Sequence, residues 1–325
     1  MIRLNIRCGI ILSVALAAGR LNASAQPTPK REAAQASDNE VVQFSGARSE
    51  SYKTVGEVKL ALHIFEPKEL RPEDRHPAIV FFFGGGWVGG TPRQFEQQCR
   101  YLASRGMVAM TAEYRVFNRH GTLAVKCVED AKSAVRWVRA NAKRLGVDPD
   151  RLVAAGGSAG GHIAACTGVL EGFEADGEST KVSSVPNAMV LFNPALVLAP
   201  VKGRNETENE RFEKLEPRLG TKPENLSPTH HVRKDAPPTL VLHGKADTTV
   251  PYWTAEAFGD AMKQAGNRCE VVGYENQAHG FFNYGRGSNE YFLATTKKLD
   301  EFLASLGYLK GPPTIEQFLE GAARK

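Results

Sequence analysis

The stretch Arg151-Leu152-Val153-Ala154-Ala155-Gly156-Gly157-Ser158-Ala159-Gly160-Gly161-His162 constrains the fold of this chain more than any other. A short apolar run ends in Gly-Gly-Ser-Ala-Gly-Gly and is followed by the helix-permissive Ile163-Ala164-Ala165-Cys166. That order reads as a strand, a sharp turn bearing one serine, and a helix leaving the turn. Such a nucleophile elbow holds its serine at a strained corner, so Gly156 and Gly160 must lack side chains for the neighbouring backbones to pass. The Ser158 hydroxyl then sits at a helix N-terminus, where amides without helical acceptors stabilise developing negative charge. A G-x-S-x-G pattern alone is weak, because the same glycines suit a tightly packed strand-to-helix connection in a Rossmann-like sheet. The surrounding sequence has to choose between the two.

Strand and helix patterns alternate along the rest of the chain. Ala78-Ile79-Val80-Phe81-Phe82-Phe83 is an apolar run too short for a helix and bounded by Pro77 and Gly84, as expected of a strand buried on both faces. Thr54–Phe65 reads as an opening strand, Pro92–Arg105 as a helix stopped by Gly106, and Met107–Thr111 as the next strand. Between Leu123 and Leu145 the apolar residues Val125, Val128, Ala131, Val135 and Val138 recur at helical spacing, and Gly146 closes the segment. Strands are predicted at Ala188–Phe192, Thr239–Leu242 and about Glu270–Tyr274, with helices over about Tyr252–Gln264 and Asn289–Leu306. This alternation predicts an α/β protein with a mostly parallel central sheet and helices on both faces. Neither a repeat nor a linker divides residues 51–325, so one domain is expected there. Residues 195–237 are the exception: long, rich in Pro, Lys and Glu, and poor in periodicity. A lid or binding insertion and a solvated excursion without a role both fit them.

The first residues differ in kind. Arg3 and Arg7 precede the apolar run Ile10–Gly19, and Ala23-Ser24-Ala25 forms an A-x-A site, the pattern of a signal peptide over residues 1–25 cleaved at Ala25/Gln26. A membrane anchor is the alternative, but the run falls well short of the ~20 residues that a span needs. Export to the periplasm or the medium is therefore expected, with 26–50 as a disordered leader. Removing residues 1–25 lowers the net charge from +5 to +2, and without a basic run nothing points to nucleic acid or stable membrane insertion. Cys99, Cys127, Cys166 and Cys269 remain, in no metal-ligand spacing, and either disulfides or buried thiols suit them.

A serine attacks at neutral pH only when a base removes its proton, and that base needs an acid to orient it. Downstream, Leu240-Val241-Leu242-His243-Gly244-Lys245-Ala246-Asp247 is an apolar strand running into a polar turn that ends in an acid. Gln277-Ala278-His279-Gly280-Phe281 then places a histidine in a loop after the last strand. The order Ser158, Asp247, His279 makes these the candidate catalytic residues. His243 is expected to order its turn and His162 to be structural, while Asp235 precedes the strand and Asp260 lies in a helix. Donors for an oxyanion come from the turn Phe83-Gly84-Gly85-Gly86-Trp87, where the amides of Gly85 and Gly86 join that of Ala159. A phosphate cradle would need a G-x-G-x-x-G spacing that this turn lacks. Trp87 either lines the pocket or packs beneath it.

Together with Ala112-Glu113-Tyr114-Arg115 and Asp148-Pro149-Asp150-Arg151, these motifs make residues 54–306 resemble the bacterial α/β-hydrolase esterases. Within them the chain is similar to the carboxylesterase branch that includes hormone-sensitive-lipase-like enzymes, acetylxylan esterases and feruloyl-esterase-like proteins. The resemblance implies the α/β-hydrolase fold, hydrolysis of short carboxylic esters (acetyl foremost, on a small molecule or an oligosaccharide) and no metal or organic cofactor. Two positions depart from the family pattern: Phe83 stands where a histidine commonly anchors the oxyanion turn, and Gly157 precedes the nucleophile where Asp is frequent. Two other functions compete, a serine peptidase of the prolyl-oligopeptidase type and a catalytically inactive binding module of the same fold. The first usually carries a propeller domain, and the second predicts a broken triad.

Overall fold

In the computed structural model, residues 42–323 are described, apart from 72, 205–211 and 213. The expected signal peptide and most of the expected leader lie outside these residues. Eight strands form one sheet: β1 (Arg48–Val55), β2 (Val58–Phe65), β3 (His76–Phe82), β4 (Val108–Ala112), β5 (Val147–Gly157), β6 (Ala188–Phe192), β7 (Thr239–Gly244) and β8 (Cys269–Tyr274). Their spatial order is β1-β2-β4-β3-β5-β6-β7-β8. The pairs β1/β2 and β2/β4 are antiparallel and all later pairs are parallel.

The apolar runs are strands because both faces of the sheet are covered. Successive side chains point to opposite faces, and the core divides accordingly. Ala78, Val80 and Phe82 of β3, Leu152 and Ala154 of β5, and Met189 and Leu191 of β6 join one apolar cluster. Their neighbours Ile79 and Phe81, Val153 and Ala155, and Val190 and Phe192 join another. Over the first face lie α2 (Ala124–Ala140), α3 (Ala159–Val169) and α4 (Trp253–Gln264), over the second α1 (Glu96–Ser104) and α5 (Glu290–Ser305). All of α3 is buried, which explains why it is apolar and small all round rather than amphipathic.

Three expectations need correction. The leader does not extend to residue 50, because β1 begins at Arg48 and Phe44 is buried edge-on against His63 and Phe65. The opening strand is a hairpin instead: Val55 pairs with Val58 across Gly56-Glu57, and Gly56 takes the positive φ of 57° that so tight a turn requires. A further helix, α6 (Ile315–Ala323), follows α5 and packs Ile315 and Phe318 on the core around Tyr101. Its signal, Ile315-Phe318-Leu319 at helical spacing, is short. The segment 195–237 holds one-turn helices at Pro223–Leu226 and Pro228–His231 and returns to the core through Leu219 and Leu226. Cys99, Cys127, Cys166 and Cys269 are all thiols.

At the elbow, a Cβ on Gly160 would lie 2.0 Å from the carbonyl oxygen of Phe82 and 2.3 Å from that of Phe83. Backbone cannot yield as a side chain would. Gly160→Ala should therefore cost about 3 kcal/mol or more, seen as a fall of roughly 5–10 °C in the thermal midpoint. A midpoint within about a degree of the parent would show that the contact is not limiting.

Candidate active site

β5 delivers Ser158 to the start of α3 with φ 55° and ψ −120°, a conformation L-residues rarely adopt. Its amide donates to the Phe192 carbonyl at 2.8 Å, and its carbonyl accepts the His162 amide at 2.9 Å, so neighbouring elements hold the strained corner. Ser158 Oγ lies 2.9 Å from His279 Nε2, and His279 Nδ1 lies 2.7 Å from Asp247 Oδ2. With Nδ1–H donating to the carboxylate, Nε2 is left to accept the serine proton. The acid follows β7 and the base follows β8, both at the carboxyl ends of parallel strands. Three residues far apart in sequence thus meet at one point.

Asp247 is 5 % exposed. Its Oδ1 accepts the amides of Thr249 at 2.8 Å and Val250 at 2.9 Å. Its Oδ2 accepts Asn193 Nδ2 at 2.6 Å besides His279. Burial pushes the carboxyl up, but hydrogen bonds from His243, His279 and the Val250 amide outweigh it and hold the group well below the usual carboxylate range. It stays ionised at neutral pH. His243 orders this turn, as expected, its Nε2 donating to the Val250 carbonyl at 2.8 Å. Asn193, fully buried at the end of β6 with φ 42°, carried no motif that singled it out.

The candidate oxyanion turn, Phe83–Trp87, is held without a histidine at its start. The buried Tyr114 hydroxyl donates to the Phe83 carbonyl at 2.6 Å and its ring stacks on Phe83 at 4.1 Å between centroids. The Gly84 amide donates to Gln94 Oε1 at 2.6 Å, and Arg119 donates to the Gly90 carbonyl at 2.8 Å. Gly85, with φ 129°, could bear no side chain, since its Cβ would lie 2.2 Å from the Gly89 oxygen. The amides of Gly85 and Gly86 donate to no other group among the described residues. The Ala159 amide opens α3 and has no acceptor within the helix. Gly86 and Ala159 border the same cavity as Ser158, with Gly85 one residue back in the turn.

That cavity holds about 170 Å³ and is walled by Trp87, Val197, Leu198, Phe212 and Leu215, with Arg218 also lining it. Apart from Trp87, these walls belong to the 195–237 segment, whose composition concealed them. Trp87 both lines the pocket and packs beneath it: its indole Nε1 donates to His162 Nδ1 at 3.2 Å. His162 Nε2 in turn donates to the Leu226 carbonyl at 2.7 Å, so this histidine is a neutral structural link, as expected. Arg218 donates to the Gly86 carbonyl at 2.8 Å and lies over the Trp87 ring. A larger cavity of about 700 Å³ lies beside Phe44, His63 and Glu113. Ser49 and His63 meet there at 2.8 Å, but as a cross-strand pair in regular sheet, with neither a strained turn nor a helix N-terminus behind the serine. Chemistry rather than size identifies the site.

Comparison with known proteins adds independent findings. A family model described as BD-FAE matches residues 62–262, and one described as Dienelactone hydrolase family matches residues 219–307. Esterase LipC of Mycobacterium tuberculosis is 30 % identical over 233 residues, covering 68 % of this chain and 56 % of that protein. A probable carboxylic ester hydrolase of the same organism, LipM, is 29 % identical over 217 residues, covering 62 % and 48 % respectively. The chain spans about half the length of these curated relatives. Among solved structures, Thermogutta terrifontis esterase 2 phosphonylated by sarin is 50 % identical with a TM-score of 0.80, covering 83 % of this chain and 98 % of that one. The propionate-bound form of the same esterase is 52 % identical with a TM-score of 0.77, covering 82 % and 97 %.

Burial lowers the His162 pKa to about 4, against the rise that the Leu226 carbonyl alone would cause. The folded pKa lies below the unfolded value of ~6.5, so this residue's contribution to stability is full above that value and is lost as pH falls towards 4. Urea denaturation should show a loss on the order of 3 kcal/mol from this source between about pH 7 and pH 4. His162→Gln, which keeps an acceptor and a donor but cannot titrate, should flatten that part of the profile. Identical pH dependence in the two proteins would contradict the assignment.

Proposed function

The chain belongs to the BD-FAE family and has the α/β-hydrolase fold, and from that premise we propose that it is a serine carboxylesterase acting through Ser158, His279 and Asp247. The observation that carries the reading is the run of contacts from Ser158 Oγ through His279 to Asp247 at 2.9 and 2.7 Å, starting from a strained elbow. His279 Nε2 takes the serine proton as Oγ bonds to the ester carbonyl carbon. The negative oxygen of the tetrahedral intermediate is met by the amides of Gly85, Gly86 and Ala159, each such donor being worth about 3 kcal/mol. The intermediate collapses to an acyl-serine, and the alcohol leaves with the proton from His279. Water repeats the sequence and releases the acid. Asp247, held ionised, stabilises the imidazolium in both halves.

The preferred substrates are short acyl esters, acetyl foremost, of a carbohydrate or other polar alcohol. A cavity of about 170 Å³ closed by Trp87 and Phe212 favours few carbons, and a solved relative at 52 % identity is an esterase with propionate bound. The apolar run and A-x-A site in residues 1–25 support export, where polymer fragments are at hand. Among the described residues no helix is long and apolar enough to cross a membrane.

Ser158→Ala should abolish hydrolysis of p-nitrophenyl acetate and labelling by a fluorophosphonate while leaving the circular-dichroism spectrum native. Asp247→Asn should lower kcat about 10⁴-fold by favouring the wrong imidazole tautomer. Adding it to Ser158→Ala should change little, since the residues act as a unit. Activity remaining in Ser158→Ala would remove the nucleophile assignment. Over an acyl series, each methylene that fails to fit forfeits about 0.8 kcal/mol, so kcat/KM should decline from acetate to octanoate; a maximum at octanoate with interfacial activation would indicate a lipase instead. Intact-mass analysis of protein expressed with its own leader should give a chain beginning at Gln26, and retention of Met1 would overturn export.

A further inference from the structure

Gln94 and Asn283 lie outside every motif, on the 3-10 turn Pro92–Phe95 and in the loop that follows His279. Yet their side chains join the two loops that flank the nucleophile. Gln94 Oε1 accepts the Gly84 amide at 2.6 Å, and Gln94 Nε2 donates to Asn283 Oδ1 at 2.9 Å. Asn283 Nδ2 continues the chain by donating to the Gly280 carbonyl at 2.9 Å, one residue beyond the candidate base. Gly84 itself packs on the nucleophile: its Cβ, if present, would lie 3.2 Å from Ser158 Cβ and 3.5 Å from Gln94 Oε1.

We infer that Gln94 and Asn283 are positioning residues, a two-amide bridge that keeps the oxyanion turn and the His279 loop in register around Ser158. The inference rests on the esterase reading above. Carboxamides suit both places, because each group must accept on one side and donate on the other. The chain is also directional, each amide polarising the next, so flipping or replacing one member breaks the whole. Beneath the bridge, Phe95 stacks on Phe282 at 6.0 Å between centroids, and both rings face Gly157, where a Cβ would lie 2.7 Å from Phe282 and 3.2 Å from Phe95. The same two segments are therefore clamped twice, by apolar rings below and by the amide chain above. The rings fix their separation. The amides set the angle of the Gly84 peptide, and with it the aim of the Gly85 and Gly86 amides relative to His279.

The test uses Gln94→Met, which fills the same volume without polar function, Asn283→Ala, and the double variant, all in the full chain. With p-nitrophenyl acetate each single variant should lower kcat about ten- to a hundredfold, the range expected when catalytic groups are misplaced by about an ångström. KM should stay within about threefold and the thermal midpoint within a few degrees. The double variant should lie within about threefold of the worse single, because either change already breaks the bridge. Fluorophosphonate should still titrate Ser158 to one equivalent, more slowly. Single variants with kcat within twofold of the parent, or losses that multiply in the double, would overturn the bridge. If Gln94→Met fails to fold, Asn283→Ala alone decides by its kcat. A parent that neither hydrolyses the ester nor reacts with the probe would instead refute the esterase reading.

Discussion

The rest of the site depends on how closely three pieces of backbone approach one another at the elbow. The start of α3 presses against the end of β3 so tightly that Gly160 has the carbonyls of Phe82 and Phe83 within 2.3 Å of where a Cβ would stand. This contact brings the amide at the head of α3 beside the turn that leaves β3, which is the juxtaposition an oxyanion site needs. Ser158, two residues before Gly160 at the same corner, takes a positive φ of 55°. Neighbouring β3 and β5 make the contact possible, since parallel strands end on the same side and their loops share one edge.

Charge is handled by the same logic of crowded backbone. Asp247 keeps its proton off because two amides and three side chains converge on one small turn. A dipole-built site of this kind stays anionic while almost fully buried, so its hold on His279 is not screened as a surface pair would be. The glycine turn after β3 follows the same pattern. Tyr114 reaches back to the Phe83 carbonyl, and the next residue, Arg115, is anchored by a bidentate pair to Asp130 of α2 at 2.8 Å on both sides. A phenol and a buried ion pair thus replace the usual histidine.

The segment 195–237 acts as a wall. Val197, Leu198, Phe212 and Leu215 line the cavity beside Trp87 and Ser158, and Pro223 and Pro228 are buried with them in the segment's return to the core. Arg218 ties it to the glycine turn through the Gly86 carbonyl, so the cavity wall and that turn are mechanically joined. His162 and Trp87 make a second tie from beneath through Leu226.

The local order of residues was sufficient for the α/β class, the strand-elbow-helix around Ser158, the glycine turn after β3 and the singling out of Asp247 and His279, which the fold brings to Ser158, because each depends on spacing along a short stretch. Periodicity likewise located β3 to β8 and their helices. What it missed lay where local signals were split or short: the Gly56-Glu57 turn inside an apparently continuous strand, and α6 with its few apolar residues. The roles of Asn193, Gln94, Asn283 and Arg218, and the contact that gives the motif residue Tyr114 its role, were illegible for a different reason. Each acts through one hydrogen bond to a group far away in the chain, from 31 residues for Tyr114 to 189 for Gln94 with Asn283. A polar side chain's partner is decided by which strand ends the sheet sets side by side, and that adjacency exists only once the chain has folded.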